Sequence, residues 1–187
     1  MNKRHFTSLV SQVFGKFANK EFPKWFQKIV NNSYVRLMGL DMTEFHSPNT
    51  YRSLNALFTR KLKEDRKYSL DGSDFISPCD SFITECGDIH DDYAMQIKGM
   101  SYKCDEFIGD EFSDEKKAQI HDGKFLNLYL SPKDYHRYHI PINLNILKVV
   151  HIPGKFYPVN IPSLEKRLDL FIENERVVIH CETNSGK

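Results

Sequence analysis

The apolar residues of this chain change their period near residue 65, and that change constrains the fold more than any other feature of the sequence. Before it, they recur three or four residues apart. Phe6, Val10, Val13, Phe14 and Phe17 form one such set, and Phe26, Ile29, Val30, Tyr34, Leu37 and Met38 a second, the spacing of amphipathic helices. Pro23 suits the first turn of the second helix and Gly39 its stop. A third helix is expected from Ser53 through Leu54, Leu57, Phe58 and Leu62, with residues 60–66 as its charged exterior and exit. After residue 66 the apolar residues come in short runs: 75–76, 82–84, 93–97, 125–130, 146–152, 170–171 and 177–179. Asp-Gly, Ser-Pro, Pro-Gly and Ile-Pro pairs punctuate them, so strands are expected, with one short helix at 104–108. No long helices recur between the runs, so the sheet should be mainly antiparallel.

The expected fold class is therefore α+β: N-terminal amphipathic helices over 1–65, then a mainly antiparallel, β-rich domain, barrel- or sandwich-like, over 66–187. At 187 residues the chain is too short for two large domains. Its 40% hydrophobic and 27% charged residues exclude bulk disorder. No run reaches the ~18 apolar residues of a membrane-spanning helix, and the start is too polar for a secretory signal. The four cysteines, at 79, 86, 104 and 181, form no CxxC, so zinc-finger spacing is absent and reduced thiols are expected.

A net charge of +1 hides an asymmetry. Residues 1–40 carry seven basic side chains and one acidic; the rest carries 19 basic and 24 acidic. Lys16, Lys20, Lys24 and Lys28 border the aromatic helix faces, a combination that suits a shallow seat on an anionic membrane. Core-facing helices with solvated lysines have the same spacing, so both readings stay open. The basic residues form no dense patch or recognised motif, so no nucleic-acid partner is expected.

The segment Leu128-Tyr129-Leu130-Ser131-Pro132-Lys133-Asp134-Tyr135-His136-Arg137-Tyr138-His139-Ile140-Pro141 is the richest in chemistry. Ser131 can cap a helix, with Pro132 at its first position and Asp134 at its third. One or two helical turns are expected, ended by Ile140-Pro141. His136 and His139 would then project from one side. Imidazoles, with an ordinary pKa of about 6.5, are candidate proton-transfer groups. A metal would need a third ligand and no HExxH accompanies the pair, so none is expected. Two surface histidines on a turn would show the same spacing. Asp80, in Ser77-Pro78-Cys79-Asp80-Ser81, could orient a histidine or be an ordinary turn residue. Residues 153–160 read as a structural turn into an extended run. Asn174-Glu175-Arg176 reads as a hairpin with a charge pair, or as part of a pocket.

Together, and in this order, these segments resemble the phosphatidylserine decarboxylase family. The resemblance is carried by Ser53-Leu54-Asn55-Ala56-Leu57-Phe58-Thr59-Arg60-Lys61-Leu62, by Ser77 to Asp80, and by Lys98-Gly99-Met100-Ser101-Tyr102 upstream of Phe107-Ile108-Gly109. It continues with Leu130 to Pro141, Pro153 to Asn160 and Asn174 to Arg176. Ser81 stands where the family usually has Gly, and Arg66-Lys67 where it has Arg-Pro. The family's cleavage motif, Gly-Ser-Thr or Gly-Ser-Ser, is not found. The one Gly-Ser pair is Gly72-Ser73, ahead of Asp80, and Ser185-Gly186 has the reverse order.

The resemblance implies conversion of phosphatidylserine to phosphatidylethanolamine and CO₂ through a pyruvoyl group made from a serine by self-cleavage. By matched position it implies Asp80 as the orienting carboxylate, His139 as the base for self-cleavage and His136 as the histidine that assists decarboxylation. It places the pyruvoyl-forming serine beyond Lys187, so no cofactor-binding residue is expected within the sequence. It implies a chain truncated before the cleavage motif, with the β-rich domain incomplete at its C-terminal end and no activity of its own. The partners implied are phosphatidylserine in an anionic membrane and the family's missing C-terminal small subunit; a homo-oligomer stays open. The implied location is peripheral, on the cytoplasmic face of a bacterial inner membrane. The alternative is a non-catalytic membrane- or partner-binding remnant of the same fold.

Overall fold

The structure is a computed structural model and describes residues 6–69, 71, 74–97, 100–160, 163, 167 and 169–183. Gly72-Ser73, Lys98-Gly99 and Ser185-Gly186 lie outside the described residues. So does Lys187, and with it the expectation that the pyruvoyl-forming serine follows that residue. The chain divides into two compact units. One holds residues 9–81 and 130–144; the other holds 1–8, 82–129 and 145–187.

The first unit is helical. It contains α1 (Phe6–Asn19) from Leu9 onward, and α2 (Lys24–Met38). Pro23 sits immediately before α2 with φ −50°, where its missing N–H costs no intrahelical bond. Gly39 ends α2 in the left-handed region at φ 64°, its N–H bonded to the Val35 carbonyl, a conformation that suits glycine. A 3-10 turn (Pro48–Thr50) leads to α3 (Leu54–Phe58). The Ser53 side chain caps α3 by accepting from the Ala56 N–H. The helix stops at Phe58, short of the expected Leu62, which instead bridges to Phe45. Ala18, Leu54 and Leu57 are buried among Val30, Tyr34, Val35, Met42 and Tyr51.

The buried face of α2 is partly amide. Gln27 donates to Asn31 at 2.8 Å, and Asn31 donates to the carbonyls of Pro48 at 2.8 Å and Tyr51 at 2.9 Å. These bonds satisfy loop carbonyls that burial would otherwise leave unpaired. Ile29 and Leu37, apolar residues of the same helix, are exposed.

The second unit carries the strands. β1 (Phe82–Asp88) pairs antiparallel with β4 (Lys124–Tyr129), from Phe82 opposite Tyr129 to Asp88 opposite Lys124. β2 (Tyr93–Ile97) pairs antiparallel with β3 (Met100–Lys103), which runs into α4 (Cys104–Ile108). α5 (Asp114–Ala118) follows; β5 (Leu144–Ile152), mostly in this unit, pairs with β6 (Arg176–Thr183). Ile89, Ala94 and Cys104 are buried against Tyr102, Ile120 and Phe125. Burial pushes the Cys104 thiol up to about 11. All four cysteines are free.

The structure departs from expectation in two further respects, the first being which apolar runs become strands: residues 75–76, expected as strand, are irregular. Residues 170–171, expected as strand, belong to α6 (Leu170–Glu173), whose i to i−4 bonds join Glu173 to Asp169 and Asn174 to Leu170. An apolar pair is too short to show a period. Second, the described strands form three two-stranded sheets and no closed barrel; the architecture is mixed α+β. Among the described residues, no helix is long and apolar enough to cross a membrane.

The Asn174 segment is structural. Its side chain brackets Tyr157, accepting from its N–H and donating to its carbonyl, both at 2.8 Å. Gly154 lies directly against the backbone of Glu173, Asn174 and Glu175, where a Cβ would collide. Arg176 donates to the carbonyls of Glu106, Phe107, Ile172 and Asn174, while Glu175 pairs with His151 at 3.2 Å.

Candidate active site

The histidine segment belongs to the helical unit. The expected helical turns do not form: residues 132–134 make a tight turn and 135–140 are irregular. The Asp134 N–H donates to the Ser131 carbonyl at 2.9 Å, and the Asp134 carboxylate accepts from the Ser131 N–H at 2.6 Å. Asp134 thus does the capping, in the reverse of the expected roles. A Pro-containing turn closed by an Asp side chain competes with helix, and Pro141 keeps Ile140 extended. His136 and His139 therefore do not share a helical face.

His136 is held on two sides. Its ring stacks on Phe58 with centroids 3.9 Å apart, and its Nε2 lies 2.9 Å from the Ser131 carbonyl. A carbonyl only accepts, so Nε2 carries the proton and Nδ1 of the neutral ring is left as an acceptor. Burial pushes the His136 pKa below its ordinary value. The Ser131 carbonyl opposes that shift and the nearby Arg60 charge adds to it.

His139 is placed by its backbone. Its N–H donates to the Pro78 carbonyl at 2.6 Å, and two residues after His139 and two before Pro78 the Ile76 N–H donates to the Pro141 carbonyl at 2.9 Å. This antiparallel pairing brings the Ser77–Asp80 segment alongside the histidines. The His139 ring stacks on Tyr135, centroids 5.7 Å apart. Its nitrogens have no hydrogen-bond partner among the described residues.

The Asp80 carboxylate is taken by Arg66, through Nη1 at 2.5 Å and Nη2 at 3.0 Å. Nε and Nη2 of Arg66 also donate to Glu44, at 2.9 and 2.6 Å. These bonds hold the Glu44 carboxyl below its usual range and raise Arg66. The Arg66 guanidinium lies 5.7 Å from the centre of the Tyr135 ring. The structure thus gathers Asp80, His136 and His139 in one unit but hydrogen-bonds Asp80 to arginine, not to histidine.

Sequence reasoning misses Arg60 and Arg66. Arg60, expected on the charged exterior, is 2% exposed. The signal is there: Leu54, Leu57 and Arg60 lie three apart, so Arg60 continues the buried stripe. Arg66 has only its place in the Arg-Lys pair. A cavity of about 490 Å³, lined by residues between Thr59 and Asp65 and by Tyr135 to His139, opens beside both imidazoles. In the other unit Asp92, Asp105 and His121 cluster, with His121 Nε2 3.1 Å from Asp105 and 3.6 Å from Asp92.

Residues 54–187 match the family model described as phosphatidylserine decarboxylase. A phosphatidylserine decarboxylase proenzyme of Helicobacter pylori is 45% identical over 180 residues, which are 96% of this chain and 66% of that protein. One of Campylobacter jejuni is 41% identical over 186 residues, 97% of this chain and 68% of that protein. One of Brevibacillus brevis is 34% identical over 178 residues, covering 94% and 61%. The chain spans about two thirds of the length of these relatives.

Proposed function

Since the chain belongs to the phosphatidylserine decarboxylase family, we propose that the cluster around His136 and His139 serves conversion of phosphatidylserine to phosphatidylethanolamine and CO₂. The observation that carries this reading is the placement of His136. It is stacked on Phe58, tied through Nε2 to Ser131 and biased to the neutral form beside an open cavity.

The family's pyruvoyl group would supply the electron sink for loss of CO₂, which no standard side chain provides. Among the described residues no serine lines the cavity, and the one Gly-Ser pair of the sequence is Gly72-Ser73. The lining residues therefore fit the group as neighbours and not as its precursor. We take that precursor to lie beyond Lys187, so that these 187 residues alone should be inactive. Around the group, the residues of this chain handle protons. His136 Nδ1 can accept one while Nε2 stays anchored. The unengaged His139 ring can take the proton of a hydroxyl presented during self-cleavage. Asp80 supports His139 if its carboxylate serves both partners. Four lone-pair sites allow it to keep Arg66 and accept from an imidazole N–H.

The substrate is a lipid, and α1 and α2 suit its surroundings. Val13, Phe14, Trp25 and Ile29 are each more than half exposed, beside Lys16, Lys20, Lys24 and Lys28. We assign residues 1–65 to peripheral contact with an anionic membrane, on the cytoplasmic face of a bacterial inner membrane, and 66–187 to catalysis. The test joins this chain to a Gly-Ser-Thr-bearing segment of a relative and measures CO₂ release from phosphatidylserine vesicles. Release that is lost in His136→Ala is expected. Vesicle binding without release would replace this reading with a membrane-binding module.

A further inference from the structure

Arg60 has no place in the chemistry above, yet it is the largest fully buried side chain among the described residues. Its guanidinium makes no hydrogen bond to a carboxylate among the described residues. Nη2 donates to the carbonyls of Lys133 at 2.9 Å and Asp134 at 3.1 Å. Nε and Nη1 are buried with no hydrogen-bond partner among the described residues. The group lies 4.4 Å from the centre of the Phe45 ring. Burying a guanidinium with no carboxylate hydrogen-bonded to it is costly, and burial depresses its pKa although the charges of Asp134 and Asp80 oppose that shift in part. A hydrophobic side chain would fill the space with less penalty, so stability does not explain an arginine here.

Its position does. Arg60 stands two residues after Phe58, on which His136 stacks, and its acceptors are the last two carbonyls before Tyr135 and His136. One side chain thus joins the helix side of the His136 seat to the turn side. We propose that Arg60 is a positioning residue. By bridging the Lys133 and Asp134 carbonyls it fixes the turn, so that His136 lies on Phe58 with Nε2 on Ser131. Both carbonyls are taken by Nη2, which stands one bond further along the side chain than a lysine ammonium would, at the end of a rigid planar group rather than a flexible stem, so lysine cannot hold both in the same geometry. The proposal rests on the decarboxylase reading only for the use to which His136 is put.

The test reads His136 directly, by NMR of this chain with labelled histidine. Stacked at 3.9 Å on Phe58, its ring protons carry an upfield ring-current shift. Arg60→Lys and Arg60→Met are compared with wild type, with circular dichroism checking the fold. Arg60→Lys is expected to stay folded, to lose much of the His136 upfield shift and to displace the amide signals of Lys133 to His136. Arg60→Met should lose at least as much, and its unfolding beside a folded, displaced Arg60→Lys also supports the role. A wild-type His136 signature in Arg60→Lys overturns it. So does unfolding of Arg60→Lys, which would make Arg60 a residue of the core. Failure of the decarboxylase reading shows separately, as absence of CO₂ release by the wild-type extended chain.

Discussion

Arg66 grips the Asp80 carboxylate with both terminal nitrogens, at 2.5 and 3.0 Å, and holds Glu44 with its remaining edge. The residue expected to orient a histidine is therefore itself oriented by an arginine. This fixes where the carboxylate points, and leaves it lone pairs for a second donor.

The pair is about two-fifths exposed on both sides, so solvent screens it and its share in stability is about 1 kcal/mol or less. Arg66→Lys, which cannot fork across the carboxylate, should melt close to wild type. In the chain extended with a Gly-Ser-Thr segment it should slow self-cleavage. Denaturation curves and a gel time course check both. Wild-type cleavage in Arg66→Lys would remove Asp80 orientation from the account.

His136 sets a pH dependence. Burial depresses its pKa in the folded state, so the unfolded chain binds the proton more readily. Above the ordinary value of about 6.5 both states are neutral and nothing is lost. As pH falls through that value toward the folded one, stability should decline. Melting temperature followed from pH 7.5 to 5 should fall more steeply in wild type than in His136→Phe. Equal slopes would contradict the neutral, half-buried seat.

Gly154 tests the packing of the strand-bearing unit. A Cβ there would meet the backbone of Glu173, Asn174 and Glu175, which cannot yield as a flexible side chain would. Gly154→Ala should destabilise by about 1–3 kcal/mol, read from urea denaturation. A change near zero would mean that the approach of 154 to 173–175 is not held in solution.

Flotation with vesicles tests the membrane contact. Binding should require anionic lipid and weaken with salt, because each Lys near the surface contributes about 1 kcal/mol through a screened field. Changing Lys16, Lys20, Lys24 and Lys28 to Glu should abolish it. Unchanged flotation would leave the exposed apolar residues of α1 and α2 without this partner.

Helices α1, α2 and α4 are legible in the sequence because period, Pro23 and Gly39 act locally. The strands at 82–88, 93–97, 124–129, 144–152 and 176–183 are legible from short runs between turns. The turn at 132–134 is not, because Ser-Pro-x-Asp satisfies helix-start rules and turn rules equally. Only the Asp134 bond to Ser131 decides between them. For the site, the residue types are visible but their partners are not. The pairing of His139 with Pro78 closes a gap of 61 positions, and Arg66 reaches Asp80 across 14 positions of largely irregular chain. Nothing periodic encodes such closures. Arg60 escapes the sequence reading because its charge outweighs its spacing within residues 60–66.

We propose that these 187 residues carry the base for self-cleavage and not the serine on which it acts. The most direct measurement is mass spectrometry of the chain joined after Lys187 to a Gly-Ser-Thr-bearing segment of a relative, in wild-type and His139→Ala forms. Cleavage at the Gly-Ser bond is expected in wild type and an intact chain in His139→Ala. Cleavage of His139→Ala at the wild-type rate would contradict the proposal.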